Sequence, residues 1–287
     1  MMADELIHQK NDDLFFRWFG VGGIQLRWRQ QVLLIDPFLT RPSLRQVLFQ
    51  PLRTNSELVR CEILSATAVL ITHAHYDHLM DTPEIIRQTG AKAYGSENVI
   101  KLLRAAGVAE QNSVLIQSGD RLEIGEFHIE VIEGKHIPIP FFLPKTLSPL
   151  VPPPRRVWDY RMDRCFSFLV SNTAPSILIW HSIEAEGAVP AECLIIDSEM
   201  PYRSFEQLVR LVKPQWVIPI HWDDFFLPLS QPPKPFFRPP EKSAFGLGRI
   251  DLHKFVGRLQ SCLPEGKVYL PERLKEIHLK TLIEAKV

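Results

Sequence analysis

Three features that mark particular classes of protein are scarce or missing in this sequence. The chain has four cysteines and no CxxC pair, so a disulfide framework is not expected in a protein of 287 residues. No apolar run approaches the length of about 18 residues that a membrane-spanning helix needs. The N-terminal segment contains acidic residues and lacks the apolar stretch of a secretory signal. We therefore expect a cytoplasmic protein with reduced thiols and no stable membrane insertion.

The sequence also has no excess of charge of either sign. Lysine plus arginine number 33, and aspartate plus glutamate number 33. No field over the whole molecule therefore points towards nucleic acid or an acidic membrane. Hydrophobic residues make up 45% and charged residues 23%, which is ordinary for a globular protein. These values favour a small-molecule substrate over nucleic acid, and they leave open a local basic pocket and a homo-oligomer.

The pattern of apolar residues predicts strands and helices alternating along a single domain, residues 1–287. Such an order is typical of α/β proteins whose sheets are covered by helices. Helices are predicted at 83–89, 97–106, 202–212 and 250–262. The main strands are predicted at 14–20, 24–28, 32–35, 67–72, 127–132, 165–170, 176–180, 193–196 and 215–220.

Two proline-rich segments, 137–157 and 228–240, are predicted to be long structured loops. The first contains seven prolines, a density that neither a helix nor a central strand tolerates. Long loops in compact domains are often lids over a functional site. The two segments are therefore candidates for a substrate-covering element.

The segment 73–78 reads HAHYDH and directly follows a predicted buried strand. Imidazole and carboxylate groups are preferred ligands of zinc and similar divalent ions. Alternate residues bring His73 and His75 close enough to share one ion, while Asp77 and His78 can turn towards a neighbouring ion. The pattern predicts a metal site, and a loop of solvated histidines is the much less favoured interpretation.

Further ligands are expected from histidines that follow other strands. His136 and His221 each follow a strand-like segment, and ligands in α/β proteins gather at strand ends. His181 has a similar position, but a structural histidine is its favoured interpretation. Asp36 also ends a strand, and we expect it to orient a metal-binding histidine rather than bind metal itself.

The order of HAHYDH, a lone histidine and a late histidine resembles the metallo-β-lactamase fold superfamily. The opening WFGVGGIQLRW, then VLLIDPF, and the late IPIHWDDFF resemble the branch with ascorbate-phosphate lactonases and N-acyl-phosphatidylethanolamine phospholipases. The resemblance spans roughly residues 15–226. It implies an α/β fold, a four-layer αβ/βα sandwich with metals at one edge. The histidine motif is specific for the superfamily and weakly specific for substrate.

The resemblance also implies a ligand set and a departure from it. Family members with two metals usually carry a bridging aspartate after the strand that matches SILIW, where this chain has His181 and Ser182. His181 could replace that aspartate, the second site could be weak, or a single ion could be bound; Asp197 is another substitute. Zinc is the expected ion and Mn²⁺ the alternative. One ion would be held by His73, His75 and His136, and the second by Asp77, His78 and His221.

The expected activity is that of a metal-dependent hydrolase. A divalent ion lowers the pKa of bound water from about 16 towards 7, and the resulting hydroxide attacks an ester, lactone or phosphodiester. Asp77 is the expected catalytic residue, because it can orient the nucleophile as well as bind metal. Asp223 and Asp224 are candidates for protonating the leaving group, although a solvated acidic turn is their favoured interpretation.

The substrate is expected to be anionic or acylated. Lys145, Arg155 and Arg156 could meet a phosphate or carboxylate group. An apolar wall could be formed by the loop phenylalanines, although packing of the loops onto the body is their favoured interpretation; these are Phe141, Phe142, Phe225, Phe226, Phe236 and Phe237.

Two other functions stay open. The missing bridging aspartate favours a metal-stabilised binding scaffold without turnover. A nuclease of the same superfamily is less favoured, because the charge is balanced and no inserted nuclease domain is recognisable. An iron-based oxidoreductase is less favoured still, because those relatives usually carry a carboxylate where this chain has His75.

Overall fold

Two seven-stranded sheets form the body of the protein, which a computed structural model describes over residues 14–138, 144–198, 200–238, 248–263 and 266–284. The strands are numbered in chain order. The first sheet has the spatial order β16-β1-β2-β3-β4-β5-β6. Its members are β1 (Leu14–Gly20), β2 (Gly23–Trp28), β3 (Gln31–Ile35), β4 (Ala68–Leu70), β5 (Lys92–Gly95), β6 (Ser113–Leu115) and β16 (Glu276–His278).

The second sheet has the order β15-β12-β11-β10-β9-β8-β7. A separate pair consists of β13 (Phe237–Arg238) and β14 (Gly248–Arg249). The strands of the second sheet are β7 (Arg121–Ile124), β8 (Phe127–Gly134), β9 (Cys165–Val170), β10 (Ile177–Trp180), β11 (Cys193–Asp197), β12 (Trp216–Ile220) and β15 (Lys267–Val268).

Helices cover the outer faces of both sheets. Five pack near the first sheet: α1 (Leu44–Phe49), α2 (Ser56–Glu62), α3 (Tyr76–Leu79), α4 (Thr82–Thr89) and α5 (Glu97–Ala105). The second sheet is covered by α6 (Tyr202–Val212) and α7 (Leu252–Ser261), and α8 (Leu279–Glu284) contacts β1. One apolar cluster lies between the sheets and one lies under each helical layer. The expected four-layer αβ/βα sandwich is confirmed.

Strand direction explains why one edge of the sandwich collects polar side chains. The pairs β3–β4, β10–β11 and β11–β12 are parallel. Strand β8 runs antiparallel to β9, which runs antiparallel to β10, so β8 ends at the same edge as β10. The backbone N–H of Phe166 donates to the Thr72 carbonyl at 2.9 Å and ties the two sheets together there. Six loops that follow strand ends therefore meet at this edge.

Most predicted elements are present, and the differences are local. Helices α1, α2, α3 and α8 were not predicted, and the loop 228–240 contains β13 rather than irregular structure alone. The described part of 137–157 contains only a 3₁₀ turn at its end, Val157–Asp159, as its prolines predict. Within the described residues, no helix is long and apolar enough to cross a membrane. The single domain over residues 1–287 stays a prediction.

Candidate metal centre

The HAHYDH segment forms the turn between β4 and α3. His73 lies in the loop after β4, and His75 is the residue at which α3 begins. Asp77 and His78 occupy the first turn of that short helix. A helical turn rotates successive side chains by about 100°, so Asp77 and His78 face a different point from His73 and His75.

The first group of candidate ligands contains His73, His75 and His136. One ring nitrogen from each lies within 4.8 Å of the others, and His136 is supplied by the loop that follows β8. Burial, with the neighbouring His78, holds the pKa of His73 well below its usual value, and burial with His136 lowers the pKa of His75 to about 3. Burial lowers the pKa of His136 as well. The three imidazoles are therefore neutral at pH 7, the form that binds metal.

His73 shows that this group fits a cation. Its Nδ1 lies 2.9 Å from the Thr72 hydroxyl. Its Nε2 is buried and has no hydrogen-bond partner among the residues that the structure describes. A buried polar atom without a partner costs about 1–3 kcal/mol, and coordination by an electron-pair acceptor would remove that cost.

The second group contains Asp77, His78 and His221, whose ligand atoms also lie within 4.8 Å of one another. Asp77 Oδ2 is 3.5 Å from His78 Nε2 and 3.8 Å from His221 Nε2. Burial alone would raise the pKa of Asp77, but His78 and His221 hold it below its usual value. Burial opposes protonation of His78, whereas Asp36 and Asp77 outweigh it and raise its pKa to about 9. The mixed carboxylate and imidazole donor set suits a divalent ion.

Asp36 orients His78 rather than joining either group. Its Oδ2 lies 2.8 Å from His78 Nδ1 and accepts a 2.5 Å hydrogen bond from the Thr72 hydroxyl. Its Oδ1 accepts from the Thr72 backbone N–H at 2.8 Å. His78 is thus held by Nδ1, which leaves Nε2 directed towards Asp77. This arrangement matches the positioning role expected for Asp36.

His181 lies beside the second group, directly after β10. Its Nδ1 is 2.8 Å from Asp197 Oδ2, and its Nε2 is 3.8 Å from Asp36 Oδ2. Asp197 Oδ1 lies 3.7 Å from His221 Nδ1. Burial would raise the pKa of Asp197, but His221 and His181 lower it far below its usual value. The Asp197 carboxylate, at the end of β11, therefore lies between His181 and His221.

The turn between β1 and β2 packs closely against these rings. A Cβ atom on Gly22 would lie 3.0 Å from His78 Cε1 and 3.1 Å from His181 Cε1. The backbone N–H of His221 donates to the Val21 carbonyl at 2.9 Å. His221 itself has φ of 58°, a conformation that non-glycine residues adopt at a cost. The Val21–Gly22 turn therefore fixes where His221 stands.

The structure places Asp223 and Asp224 in buried surroundings, not in a solvated turn. Asp223 is fully buried and its Oδ2 lies 2.7 Å from Arg41 Nη1. Asp224 Oδ1 accepts from the Phe226 backbone N–H at 3.0 Å. Neither lines the cavity above the candidate ligands, so the geometry does not support either residue as a proton donor to a leaving group.

A cavity of about 440 Å³ opens above the two groups, and we call it the aromatic pocket. Its floor contains every candidate ligand except His73. One wall comes from α1, through Leu44, Val47 and Leu48.

A second wall comes from the end of the first proline-rich loop, through Val157, Trp158 and Tyr160. A third wall contains Phe225, Phe226 and Phe236.

The pocket matches only part of the substrate-site prediction. The three phenylalanines of its third wall were candidates for an apolar wall, with packing onto the body as their favoured interpretation, and Phe225 and Phe226 do pack against the cluster under the first helical layer. Helix α1, Trp158 and Tyr160 were not predicted as part of the site. The capping-box pattern of Ser43 and Gln46 was the local signal for α1. Lys145, Arg155 and Arg156 do not line the pocket. Phe141 and Phe142 lie outside the described residues, as does the side chain of Phe237.

Comparison with known proteins supports the fold. Residues 31–148 match the family model described as the Beta-lactamase superfamily domain. A protein of Myxococcus xanthus named UPF0173 metal-dependent hydrolase is 31% identical over 120 residues, which cover 42% of this chain and 38% of that protein. The matches to the first three curated relatives span 38 to 44% of the length of those relatives.

Solved structures extend the likeness over almost the whole chain. Igni18, a metallo hydrolase from Ignicoccus hospitalis, superposes with a TM-score of 0.59 at 17% identity and covers 92% of this chain and 97% of its own. CmlA, a diiron β-hydroxylase from Streptomyces venezuelae, has a TM-score of 0.59 at 15% identity and covers 93% and 54%. At these identities the likeness concerns the fold alone, and the fold carries more than one chemistry. The chain has the metallo-β-lactamase fold, and its resemblance to that superfamily is confirmed.

Proposed function

We propose that this protein is a metal-dependent hydrolase of an ester, lactone or phosphodiester of a small molecule. The observation that supports it best is the pair of ligand groups at one edge of the sandwich, beneath an open cavity. The curated relatives that match 42% and 38% of this chain are named metal-dependent hydrolases. His73, His75 and His136 would hold one ion, and Asp77, His78 and His221 a second.

The donor atoms favour zinc, with Mn²⁺ as the alternative. Imidazole and carboxylate ligands in a small buried cluster are those that zinc prefers. When bound, such an ion lowers the pKa of water to near 7 and polarises a carbonyl or phosphoryl oxygen. The low pKa values of His73 and His75 keep both imidazoles neutral near pH 7. Each ring therefore offers one unprotonated nitrogen to an ion, and neither has to lose a proton before metal binds.

Asp77 is the residue that we propose to act directly on the nucleophile. It lines the aromatic pocket and stays ionised because His78 and His221 lower its pKa. An ionised carboxylate accepts a hydrogen bond from water and so directs its lone pair towards the substrate. His78, held from behind by Asp36 at 2.8 Å, fixes the second group in place.

The experiment that tests this proposal is metal analysis combined with turnover. Protein reconstituted with Zn²⁺ or Mn²⁺ is expected to bind close to two ions per chain and to hydrolyse p-nitrophenyl esters or bis(p-nitrophenyl) phosphate. His75→Ala should lose metal and activity together. His128→Ala is the matched control, because His128 is exposed on β8 and lies outside both groups.

Each result has a separate meaning. Absence of bound metal after reconstitution would refute the metal centre. Full metal occupancy without turnover of any of these compounds would refute the hydrolase and favour a binding scaffold. A ratio near one ion per chain would show that His181 and Asp197 do not restore a second site.

A further inference from the structure

The aromatic pocket has no lysine or arginine side chain among its described lining residues. Its apolar walls meet a floor on which Asp77 is the one carboxylate, and the other floor residues are candidate metal ligands. A charged group moved into such surroundings loses its hydration, and it needs a paired charge to offset that loss. The walls therefore do not favour an anionic substituent.

None of the cations that were expected to bind an anion lines the pocket; these are Lys145, Arg155 and Arg156. The guanidinium of Arg156 lies 5.8 Å from the Trp158 ring centroid. Arg161 is close enough to contribute to lowering the pKa of His75, but its Nε donates to the Trp158 carbonyl at 3.1 Å and it does not line the pocket.

The aromatic rings of the third wall contact one another and a neighbouring tyrosine. The ring centroid of Phe225 lies 4.4 Å from that of Phe226 and 4.5 Å from that of Phe236. Tyr76 makes an edge contact with Phe225 at 6.5 Å. Contacts of this kind hold aromatic rings in defined orientations, so this wall needs no large rearrangement to receive a ligand.

The mouth of the pocket is apolar as well. Leu44 and Leu48 are about half exposed, and Trp158 is 46% exposed. A volume of about 440 Å³ lies within the range of about 300–1,000 Å³ that is usual for small-molecule sites. The opening therefore admits an apolar chain or ring that ends beside His75 and His221.

We propose that the aromatic pocket binds an uncharged acyl or aryl group next to the scissile bond, so that substrates with such a group are preferred to substrates with a charged group at the same position. This inference rests on the proposed hydrolase activity and narrows its substrate class. Substrate preference is then set by the substituent that enters the pocket, because the metal ligands do not distinguish a carbonyl from a phosphoryl centre.

The first test compares p-nitrophenyl esters on the zinc-reconstituted protein. From acetate to pentanoate, kcat/KM is expected to rise by up to about fourfold per methylene, the factor that corresponds to about 0.8 kcal/mol per buried CH₂. The hemiglutarate ester has the same chain length as pentanoate but ends in a carboxylate. We expect its kcat/KM to be at least about tenfold lower, because its carboxylate would be buried unpaired. Equal or faster turnover of the hemiglutarate ester would overturn the inference.

A pair of neighbouring variants locates the effect. Leu48→Lys places an ammonium at the mouth and should raise the ratio of hemiglutarate to pentanoate kcat/KM by about fivefold, the value of a partly exposed ion pair of about 1 kcal/mol. Phe49→Lys makes the same charge change one residue along α1, on a side chain that is 72% exposed and does not line the pocket. It should leave the ratio unchanged. The same response in both variants would contradict a role for the pocket.

A binding measurement separates this inference from the proposed activity. N-phenyl-1-naphthylamine is neutral and apolar, and its fluorescence rises in an apolar site. We expect saturable binding to the zinc-loaded protein, weakened at least about tenfold by Phe226→Ala through the loss of buried aromatic area. Absence of ester turnover with this binding intact would sink the hydrolase alone. Absence of binding to the wild-type protein would sink the apolar pocket.

Discussion

Asp223 connects its own segment to three others behind the metal centre, through Val21, Arg41 and Arg273. Its Oδ1 accepts from the Val21 backbone N–H at 2.7 Å. Its Oδ2 lies 2.7 Å from Arg41 Nη1 and 3.5 Å from Arg273 Nη1. Arg41 also donates to the Phe19 carbonyl at 3.1 Å. Since the Val21 carbonyl accepts the N–H of His221, removal of this carboxylate should disturb both stability and the second ligand group.

The size of the effect follows from burial. The side chains of Asp223 and Arg41 are both fully buried, so Asp223→Ala leaves a guanidinium in the interior without its counterion. Loss of one partner of a buried pair costs about 3–5 kcal/mol. Total stabilities are about 5–15 kcal/mol, so the variant should fold with little reserve. Arg41→Ala removes the same pair, and the two losses should not add.

Urea unfolding of the metal-free protein at pH 7, with zinc titration of the folded protein, measures both consequences. The matched control is Glu110→Ala, because Glu110 pairs with Arg104 and both side chains are more than half exposed. It should change the free energy of unfolding by less than about 1 kcal/mol. A loss below about 1 kcal/mol for Asp223→Ala would refute the buried network as a stabilising element. If Asp223→Ala lost zinc from the first group as well as from the second, the prediction that Asp223 acts on the second group alone would be refuted.

Three further predictions concern the metal centre. Gly22→Ala should weaken zinc binding at the second group, because its Cβ would lie 3.0 Å from His78. Between pH 6.5 and 8 the metal-free protein should lose about 2 kcal/mol of stability relative to His78→Gln, since the pKa of His78 is raised to about 9 in the fold and only the folded state then holds that proton. Chelation should lower the melting temperature, because an ion at 100 times its Kd adds about 2.7 kcal/mol.

Their controls are also available in this chain. Gly257→Ala lies within α7 with open space at its Cβ and should raise stability by about 0.5–1 kcal/mol while zinc binding stays unchanged. The comparison with His78→Gln is needed because His73, His75 and His136, whose pKa values are lowered in the fold, raise stability over the same pH range in both proteins. The same pH dependence in both proteins would refute the assignment to His78. The pH range stops at 8 because burial raises the pKa of Cys165. Above the ordinary pKa of a thiol only the folded state keeps that proton, so Cys165 would add a further loss of stability with rising pH. A melting temperature indifferent to chelator would contradict metal binding to the folded state.

Local signals in the sequence were sufficient for most of the sandwich. Continuous apolar runs such as Cys193–Asp197 and Trp216–Ile220 mark strands whose faces are both covered. Glycine ends α4 at Gly90, as its position predicted. By contrast α1 was missed, because its six residues, Leu44–Phe49, are too few to establish a helical period.

The HAHYDH segment was enough to predict a metal site, because its three histidines and its aspartate are close in the chain whatever the rest of the protein does. Only the tertiary structure decided what surrounds them. Asp36 meets His78 across 42 positions, and Asp223 meets Arg41 across 182. His181 faces Asp197 from the adjacent parallel strand. Such partners are set by which strand ends meet at one edge, and burial then fixes their charge; neither is encoded within a local stretch of sequence.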